Sequence, residues 1–361
     1  MENDQEKSPV SVTSLAAEET LDKARNSEVL DFPHRIERYG RARKRALQMF
    51  YYLGAYQPPL PPLPPLLSPD KLPKQTESQL IKKSVARLKE CGNWLHFRNY
   101  YTVDNIRLIN AVFCMQHLIC PLCAIRRGAK YLSAYLKKYQ QIKTEYPDLK
   151  PCIITFTVKN HEDLVKVFSH LKDSLKTIID TRRKYLSNSS RNRYTELSKV
   201  QGAVYTFELT NIGNGWHPHV HMIALCSEIP IEAQIRKEWK SITGDSYIVD
   251  VTPFRTPKNY IHDNMYTDIQ GYEVEAFTEV FKYAVKFSDL SVQDNWYAYT
   301  KLKGQRLMGS FGLFRAVEVS EELTDELLEE ELPYIDLLYR FVRGHYNLAN
   351  IIHPTDETSD K

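Results

Sequence analysis

The chain has 361 residues, of which 42% are hydrophobic and 26% are charged, a composition typical of a folded globular protein. Basic residues number 48 and acidic residues 45, so the formal net charge of +3 does not indicate a strongly basic or acidic protein. The first 30 residues hold seven acids and no apolar stretch, and no segment has the roughly 18 apolar residues of a membrane span. We therefore expect a cytoplasmic protein with no secretory signal and no membrane partner, whose six cysteines are reduced or metal-bound.

Residues 1–70 are predicted to form an arm that is separate from the folded body. The first 33 residues are polar and lack a sustained periodicity, so we expect them to be disordered. A basic helix is expected over 34–53, where six arginines and lysines face one acid, Glu37; its charge serves either solvation or contact with DNA phosphates. Seven prolines between Gln57 and Pro69 exclude a helix or a central strand and predict an extended linker.

The body is predicted to contain both helices and strands. Apolar spacing predicts helices over 78–95, 125–146, 161–185, 231–242 and 278–288, and strands over 152–158, 203–210 and 217–226. Glycine and asparagine at 211–216 predict a hairpin between the last two strands. We divide the body into a cysteine-rich helical part at 71–148, a core at 149–315 and a tail at 316–361. The tail has seven acids between Glu321 and Leu332, and its apolar segment Tyr334–Tyr346 is expected to be helical.

The last predicted strand begins with three histidines at alternate positions, His217, His219 and His221. Residues two apart in a strand share a face, so the three imidazoles are expected to point the same way. Neutral imidazole is a common ligand of divalent cations. Glu208 is the only acid on the preceding strand, and the hairpin would bring it beside the histidines, where burial is costly unless the carboxylate is paired or bound to a cation. The pattern predicts a divalent metal site; the alternative for Glu208 is an exposed edge position.

A predicted helix at 279–287 places Glu279 and Tyr283 one turn apart on the same face. The chain has 23 tyrosines, and a tyrosine on an amphipathic helix usually belongs to the core or its rim. The pair therefore indicates a function only in combination with the histidine strand.

Four cysteines have the spacing of a zinc site. They are Cys91, Cys114, Cys120 and Cys123. The last two form a CxxC pair that presents two thiolates on one turn, as tetrahedral zinc requires, and His96 or His117 could substitute for a sulfur ligand. A redox-active pair is less well supported because a basic helix follows it and no tryptophan precedes it. We hypothesise a small structural zinc element, the alternative being free buried cysteines. Cys152 and Cys226 lie in predicted strands and are expected in the core.

Three basic stretches, at 34–53, 125–138 and 182–193, are candidates for contact with duplex DNA. The second follows the cysteine motif directly, so a zinc element would present it to the duplex. The individual DNA-binding candidates are Arg126, Arg127, Arg182, Arg183 and Lys184.

The chain resembles the rolling-circle replication initiators of small plasmids, which belong to the HUH endonuclease superfamily. The resemblance covers about residues 85–315 and rests on four segments: FCMQHLICPLCAIRR at 113–127, FELT at 207–210, GWHPHVHMIAL at 215–225 and EVFKYAVKF at 279–287. It implies an α+β fold with an HUH-type nuclease core at 149–315. In that core a central antiparallel sheet carries the histidines, flanking helices cover it, and the tyrosine helix packs over the metal.

The resemblance also implies roles for individual residues. The resemblance implies that His219 and His221 bind the metal, that Glu208 is the third ligand and that His217 is an accessory position. It further implies that Tyr283 is the nucleophile, that Glu279 activates water in the terminating cleavage and that Lys286 contacts the phosphate. The position one turn after the tyrosine is Phe287, so the chain resembles the single-tyrosine subgroup.

The implied function is initiation of plasmid replication. Such an enzyme nicks one strand of the double-strand origin through a 5′-phosphotyrosine intermediate, leaves a 3′-OH primer, and later cleaves and rejoins the strand. A histidine and carboxylate site with open water positions suits Mn²⁺ or Mg²⁺, while the cysteines suit Zn²⁺. The expected partners are duplex and single-stranded origin DNA, together with a host helicase and polymerase.

Other functions explain less of the sequence. A cupin-type oxygenase would need a glutamate four or five residues after His221, where Leu225 and Cys226 stand. A non-catalytic, zinc-dependent DNA-binding regulator explains the cysteines and basic stretches but not the histidines with Glu208. A conjugative relaxase or a transposase of the same superfamily remains an alternative, although relaxases usually place the tyrosine before the histidines.

Overall fold

The computed structural model describes residues 28–58, 76–187, 193–211, 213–254, 276–277, 280–281, 290–328 and 332–354. The described helices are α1 Glu28–Ala55, α2 Glu77–Glu90, α3 Pro121–Glu145, α4 Leu164–Leu186, α5 Glu232–Thr243 and α6 Val292–Leu302. The described strands are β1 Trp94–Tyr100, β2 Asn105–Ala111, β3 Lys150–Thr157, β4 Val200–Asn211, β5 Trp216–Cys226, β6 Val249–Pro253, β7 Met308–Gly312, β8 Ile335–Val342 and β9 His345–Ile352. They form two antiparallel sheets, so the α+β class is confirmed. None of the helices in these ranges is long and apolar enough to cross a membrane.

The larger sheet has five strands in the order β6–β3–β5–β4–β7, and its central strand β5 carries the histidines. β5 pairs with β4 through the predicted hairpin and with β3 on its other side. The turn of the hairpin depends on Gly215, which has a φ of +86°. A Cβ at this position would lie 3.0 Å from the backbone carbonyl of His161. The hairpin is therefore confirmed, and it decides which side chains of β4 lie beside the histidines.

Helices cover both faces of this sheet. On one face, α4 and α5 pack against the strands, with Phe168 and Trp239 fully buried between the layers. On the other face, α3 and the described residues near position 280 cover Val204, Ile223 and Leu225. Because residues two apart share a face of a strand, the histidines of β5 lie on the same face as Ile223 and Leu225. The candidate metal site is therefore at the border of the α3 layer.

The smaller sheet, in the order β2–β1–β8–β9, packs against α1 and α2 around a second core. The helix expected at 34–53 is present as part of α1, but it belongs to the body rather than to a separate arm. Tyr39 of α1 is fully buried and stacks on Phe97 of β1, with 6.4 Å between ring centroids. The boundary at residue 70 is therefore wrong for this helix. Residues 1–27 and the proline-rich linker from residue 59 lie outside the described residues.

Half of the basic residues of α1, three of six, are buried inside the protein. The buried arginines are Arg35, Arg38 and Arg43. Arg43 donates hydrogen bonds to the carbonyls of Leu88 and Lys89 at 2.7 Å, and Arg35 forms an ion pair with Asp325 at 2.8 Å. These guanidinium groups hold α1 against the body, so they are not available to DNA phosphates.

The C-terminal tail differs from the prediction. Its apolar segment forms a β-hairpin of β8 and β9 instead of a helix, and this hairpin completes the smaller sheet. Arg343 and Gly344 form the two-residue turn, both with positive φ, as a tight hairpin requires. The described acidic residues from Glu321 to Leu328 form no helix either. The cysteine-rich part is also less helical than expected, because β1 and β2 follow α2.

Candidate metal and nuclease site

The three histidines of β5 share one face, as predicted, and the ring centroids of His217 and His219 are 4.3 Å apart. The centroids of His219 and His221 are 5.9 Å apart. Glu208 pairs directly with His219 in the β4–β5 register, and its carboxylate oxygen lies 2.9 Å from Nε2 of His221. The Glu208 side chain is only 12% exposed, so the edge-exposed alternative does not hold. The hairpin therefore brings all four expected groups to one face of the sheet.

Side chains of β3 orient two of these rings. The hydroxyl of Thr155 lies 3.3 Å from Nδ1 of His221, and that of Thr157 lies 3.4 Å from Nδ1 of His219. On the third ring, Nδ1 of His217 is hydrogen-bonded to the side-chain oxygen of Asn160. Hydrogen bonds of this kind fix the tautomer and the direction of ligand histidines.

The local environment keeps the imidazoles of His217 and His219 neutral. Burial is the main cause that lowers the pKa of His219 to about 3, and the neighbouring His217 and His221 contribute further. Burial also lowers the pKa of His217, although Glu208 acts against it. Because metal binding requires the unprotonated imidazole, a cation does not have to displace a proton from these two rings at neutral pH. The three imidazoles together with one carboxylate fit a divalent cation with nitrogen and oxygen ligands.

The segment that precedes Tyr283 is attached to the same sheet face. The hydroxyl of Thr206 on β4 donates a hydrogen bond of 2.9 Å to the carbonyl of Val280. Thr206 pairs with His221 across the β4–β5 ladder, so this anchor lies one strand away from a candidate ligand. Phe281 is buried and its ring centroid lies 5.2 Å from that of Tyr135 on α3. The predicted catalytic residues Glu279, Tyr283 and Lys286 lie outside the described residues.

The four cysteines expected at the zinc element come together in the second core. All are buried; the pairs Cys91–Cys120 and Cys91–Cys123 have Sγ atoms 3.6 Å apart, and Cys114–Cys123 has them 3.5 Å apart. A tetrahedron with zinc–sulfur bonds of about 2.3 Å has sulfur atoms about 3.8 Å apart, close to these distances. The cluster could hold a metal such as zinc.

Among the described residues, the cysteine cluster is the only group of three or more potential ligands whose atoms all lie within 4.8 Å of one another. The histidine cluster is more open. The two histidines expected as substitute ligands are not part of the cysteine cluster. Nε2 of His96 lies 3.2 Å from a carboxylate oxygen of Asp336, and His117 lines a cavity with Arg127. The other two cysteines, Cys152 and Cys226, are buried in the larger sheet as expected.

Two of the five DNA-binding candidates are in the wrong place for that role. Arg126 is fully buried, and it forms an ion pair with Asp325 at 2.5 Å. Arg182 is buried at 9% exposure and donates to the carbonyl of Val200. Neither guanidinium can contact a DNA backbone, because each is used to join elements of the fold. The remaining candidates are Arg127, which is half-buried, and Arg183 and Lys184, which are exposed at the end of α4.

The residues that support the site carry no strong signal in the sequence. Thr155, Thr157 and Asn160 come from β3 and the loop after it, more than 50 residues before the histidines. The one available signal was that the two threonines alternate with apolar residues and so share a face. That these threonines lie beside the histidines follows only from the strand order, which places β3 next to β5.

The model of the family described as "Replication protein" matches residues 105–336 of the chain. A protein named "Protein rep" from Bacillus amyloliquefaciens is 25% identical over 285 residues, covering 71% of this chain and 78% of that protein. Another "Protein rep", from Streptococcus pneumoniae serotype 2 (strain D39), is 25% identical over 251 residues, covering 67% of this chain and 73% of that protein. No solved structure shows a significant match. The chain therefore belongs to the replication protein (Rep) family of plasmid replication initiators.

Proposed function

We propose that this Rep protein is a metal-dependent, site-specific DNA endonuclease of the single-tyrosine HUH type, which nicks one strand of a plasmid origin. The observation that carries the proposal is the meeting of three histidines and Glu208 on one face of the central sheet, beside the anchored residue Val280. Three residues of extended chain span at most about 11 Å, so Tyr283 is within reach of this face. The order of the motifs in the chain gives independent support.

His219, His221 and Glu208 are the proposed ligands of a Mn²⁺ or Mg²⁺ ion, and His217 is an accessory position. When bound, the cation would neutralise charge on the scissile phosphate and fix its position. The protein's part is to hold the imidazoles and the carboxylate so that their ligand atoms face the cation. The threonine hydroxyls of β3 and the strand register serve that purpose.

Tyr283 is the proposed nucleophile. Its phenol oxygen attacks the scissile phosphorus, a bond forms between that oxygen and the 5′ phosphate, and the bond to the 3′ oxygen breaks. The phenol proton is lost and the 3′ oxygen gains one, so no water is consumed and the ester bond is conserved. The free 3′-OH serves as a primer, and the phosphotyrosyl ester can later be cleaved or rejoined. Lys286 is the proposed contact to the phosphate.

Glu279 is proposed to act at termination. A single tyrosine is already esterified after the first cleavage, so a second cleavage needs another nucleophile. A carboxylate one helical turn from the tyrosine can accept a proton from water at the regenerated origin. This division of roles distinguishes nicking from release.

The four-cysteine cluster is proposed to bind one Zn²⁺ as a structural ion at the start of α3. A metal at this position would fix that start against α2 and the second core. Duplex DNA is the proposed partner of the half-buried Arg127 and of the exposed Arg183 and Lys184. Host helicase and polymerase would act on the nicked origin.

A supercoiled plasmid that carries the origin tests the proposal. With Mn²⁺ or Mg²⁺, the protein should convert it to an open circle whose 3′ end a DNA polymerase can extend without a primer. A plasmid with the same backbone and a scrambled origin is the control. Tight binding of the origin without any nick would instead support the zinc-dependent regulator.

A further inference from the structure

A large cavity adjoins the histidine cluster at the end where β5 begins. It has a volume of about 680 Å³ and shares His217 and Thr157 with the candidate metal site. The other side of the cavity is formed by the loop before β6, with Tyr247 and Ile248. Its volume is within the range of small-molecule and cofactor sites, about 300–1,000 Å³. The cavity and the metal site are therefore neighbours that one extended ligand could occupy together.

Tyr247 is an exposed aromatic residue on a well-anchored segment. Its side chain is 59% exposed, and that of Ile248 is 56% exposed. Yet the residue before it, Ser246, is buried and accepts a hydrogen bond of 2.9 Å from the backbone of Lys159, and the carbonyl of Ile248 accepts one of 3.2 Å from Thr157. Because the chain on both sides of Tyr247 is anchored, less conformational freedom is lost when its ring stacks on a flat ligand.

The polar groups of the cavity match a nucleotide. Asn214 offers a side-chain amide, which can pair with the edge of a base, and Lys159 offers an exposed ammonium group for a phosphate. The amide of Asn160 is already engaged, because its oxygen is bonded to His217 and its nitrogen donates to the carbonyl of Asn214. Among the described residues that line the cavity, Asp245 carries the carboxylate. This carboxylate accepts a hydrogen bond of 2.6 Å from Ser246 and lies 3.4 Å from Nε2 of His170. It is thus partly satisfied within the protein.

We propose that this cavity binds an unpaired base of the DNA strand next to the scissile phosphate, stacked on Tyr247, with its backbone phosphate near Lys159. Stacking on aromatic rings is the common way in which proteins hold single-stranded DNA. The inference rests on the proposed nuclease function, since it assigns the nucleotide that flanks the metal site. It adds a base-binding subsite at the His217 end of the sheet.

The test measures binding without cleavage, in the absence of divalent cations. The probes are a fluorescein-labelled dT12 and a labelled 12-mer of abasic sites, each titrated with full-length protein and followed by anisotropy. Tyr247→Ala should weaken binding of dT12 about tenfold and leave binding of the abasic strand unchanged. Tyr247→Phe, which keeps the ring, should bind dT12 like the wild type. Tyr101→Ala is the matched control, because Tyr101 is a 53% exposed tyrosine beside the smaller sheet.

The inference is overturned if Tyr247→Ala binds dT12 as tightly as the wild type, or if it loses the abasic strand to the same extent. The second result would mean that the side chain affects the backbone contact or the fold. Because no cleavage is measured, these outcomes do not depend on Tyr283. Intact base binding without any covalent adduct would overturn the nuclease proposal and leave the cavity as a site for single-stranded DNA.

Discussion

The hydroxyl of Thr206 donates a hydrogen bond of 2.9 Å to the backbone carbonyl of Val280, and this bond joins the strand beside the histidines to the segment that leads into Tyr283. Thr206 is fully buried, and its strand neighbour across the ladder is His221. Two paired residues of the sheet therefore have different tasks: His221 is a candidate metal ligand, and Thr206 anchors the segment that leads to the proposed nucleophile.

Thr206→Val should separate positioning from metal binding. Valine keeps the shape but cannot donate, so the buried carbonyl of Val280 loses its partner, at a cost of about 1–3 kcal/mol. We expect the rate of nicking in a single turnover to fall about tenfold, with Mn²⁺ affinity unchanged. Thr177→Val is the control, because Thr177 is exposed and its hydroxyl donates a hydrogen bond to the carbonyl of Asp173 within α4. An equal loss of Mn²⁺ affinity would contradict a positioning role.

His219→Ala should abolish binding of the catalytic cation. His219 sits between the other two histidines and pairs with Glu208, so its loss removes the central ligand. We expect nicking to fall by about a hundredfold or more, together with loss of Mn²⁺ binding measured by electron paramagnetic resonance. His345→Ala changes an exposed histidine of β9 and should leave both unchanged. Normal Mn²⁺ binding by His219→Ala would refute the ligand assignment.

The protein purified without added zinc should contain one zinc ion per chain. Cys120→Ser replaces one of four buried sulfurs and should lower the zinc content, measured by inductively coupled plasma mass spectrometry, and also lower the melting temperature. Cys226→Ala alters a buried cysteine outside the cluster and should keep the full zinc content. Zinc content well below one per chain in the wild type would leave the cluster as free cysteines.

Arg126→Ala should act on stability rather than on DNA contact. Its removal leaves the nearly buried carboxylate of Asp325 with one guanidinium fewer, and breaking a buried ion pair costs about 3–5 kcal/mol. Urea unfolding should show this loss, while Arg127→Ala, one position later and half-buried, should change stability by less than about 1 kcal/mol. A stable Arg126→Ala variant with weakened DNA binding would contradict the structural role and support a direct contact of Arg126 with DNA.

The histidine strand could be predicted because its signal is local. Alternation over His217, His219 and His221 sets the shared face, and the adjacent hairpin brings Glu208 to it without knowledge of the rest of the fold. The cysteine cluster was predictable for a similar reason, since zinc ligation constrains spacing. Both predictions rest on histidines and cysteines, which at such spacings seldom have a role other than metal binding.

The errors came from partners that are distant in sequence. Arg126 reads as a surface charge until Asp325, 199 residues away, is placed beside it. The apolar run of the tail at 335–342 is short and fits the helical period as well as the strand period. The turn at Arg343 and Gly344 is the signal that distinguishes a hairpin from a helix. Only the sheet order reveals that this hairpin completes the second sheet.

The most direct measurement of the central claim uses a single strand that carries the nick site, labelled on the 3′ side of that site. The labelled DNA is incubated with protein and Mn²⁺ and separated on a denaturing gel. We predict a band of protein covalently bound to the label with the wild type, and none with Tyr283→Phe, which lacks the attacking oxygen. An adduct formed equally well by Tyr283→Phe, or no adduct with the wild type, would contradict the account.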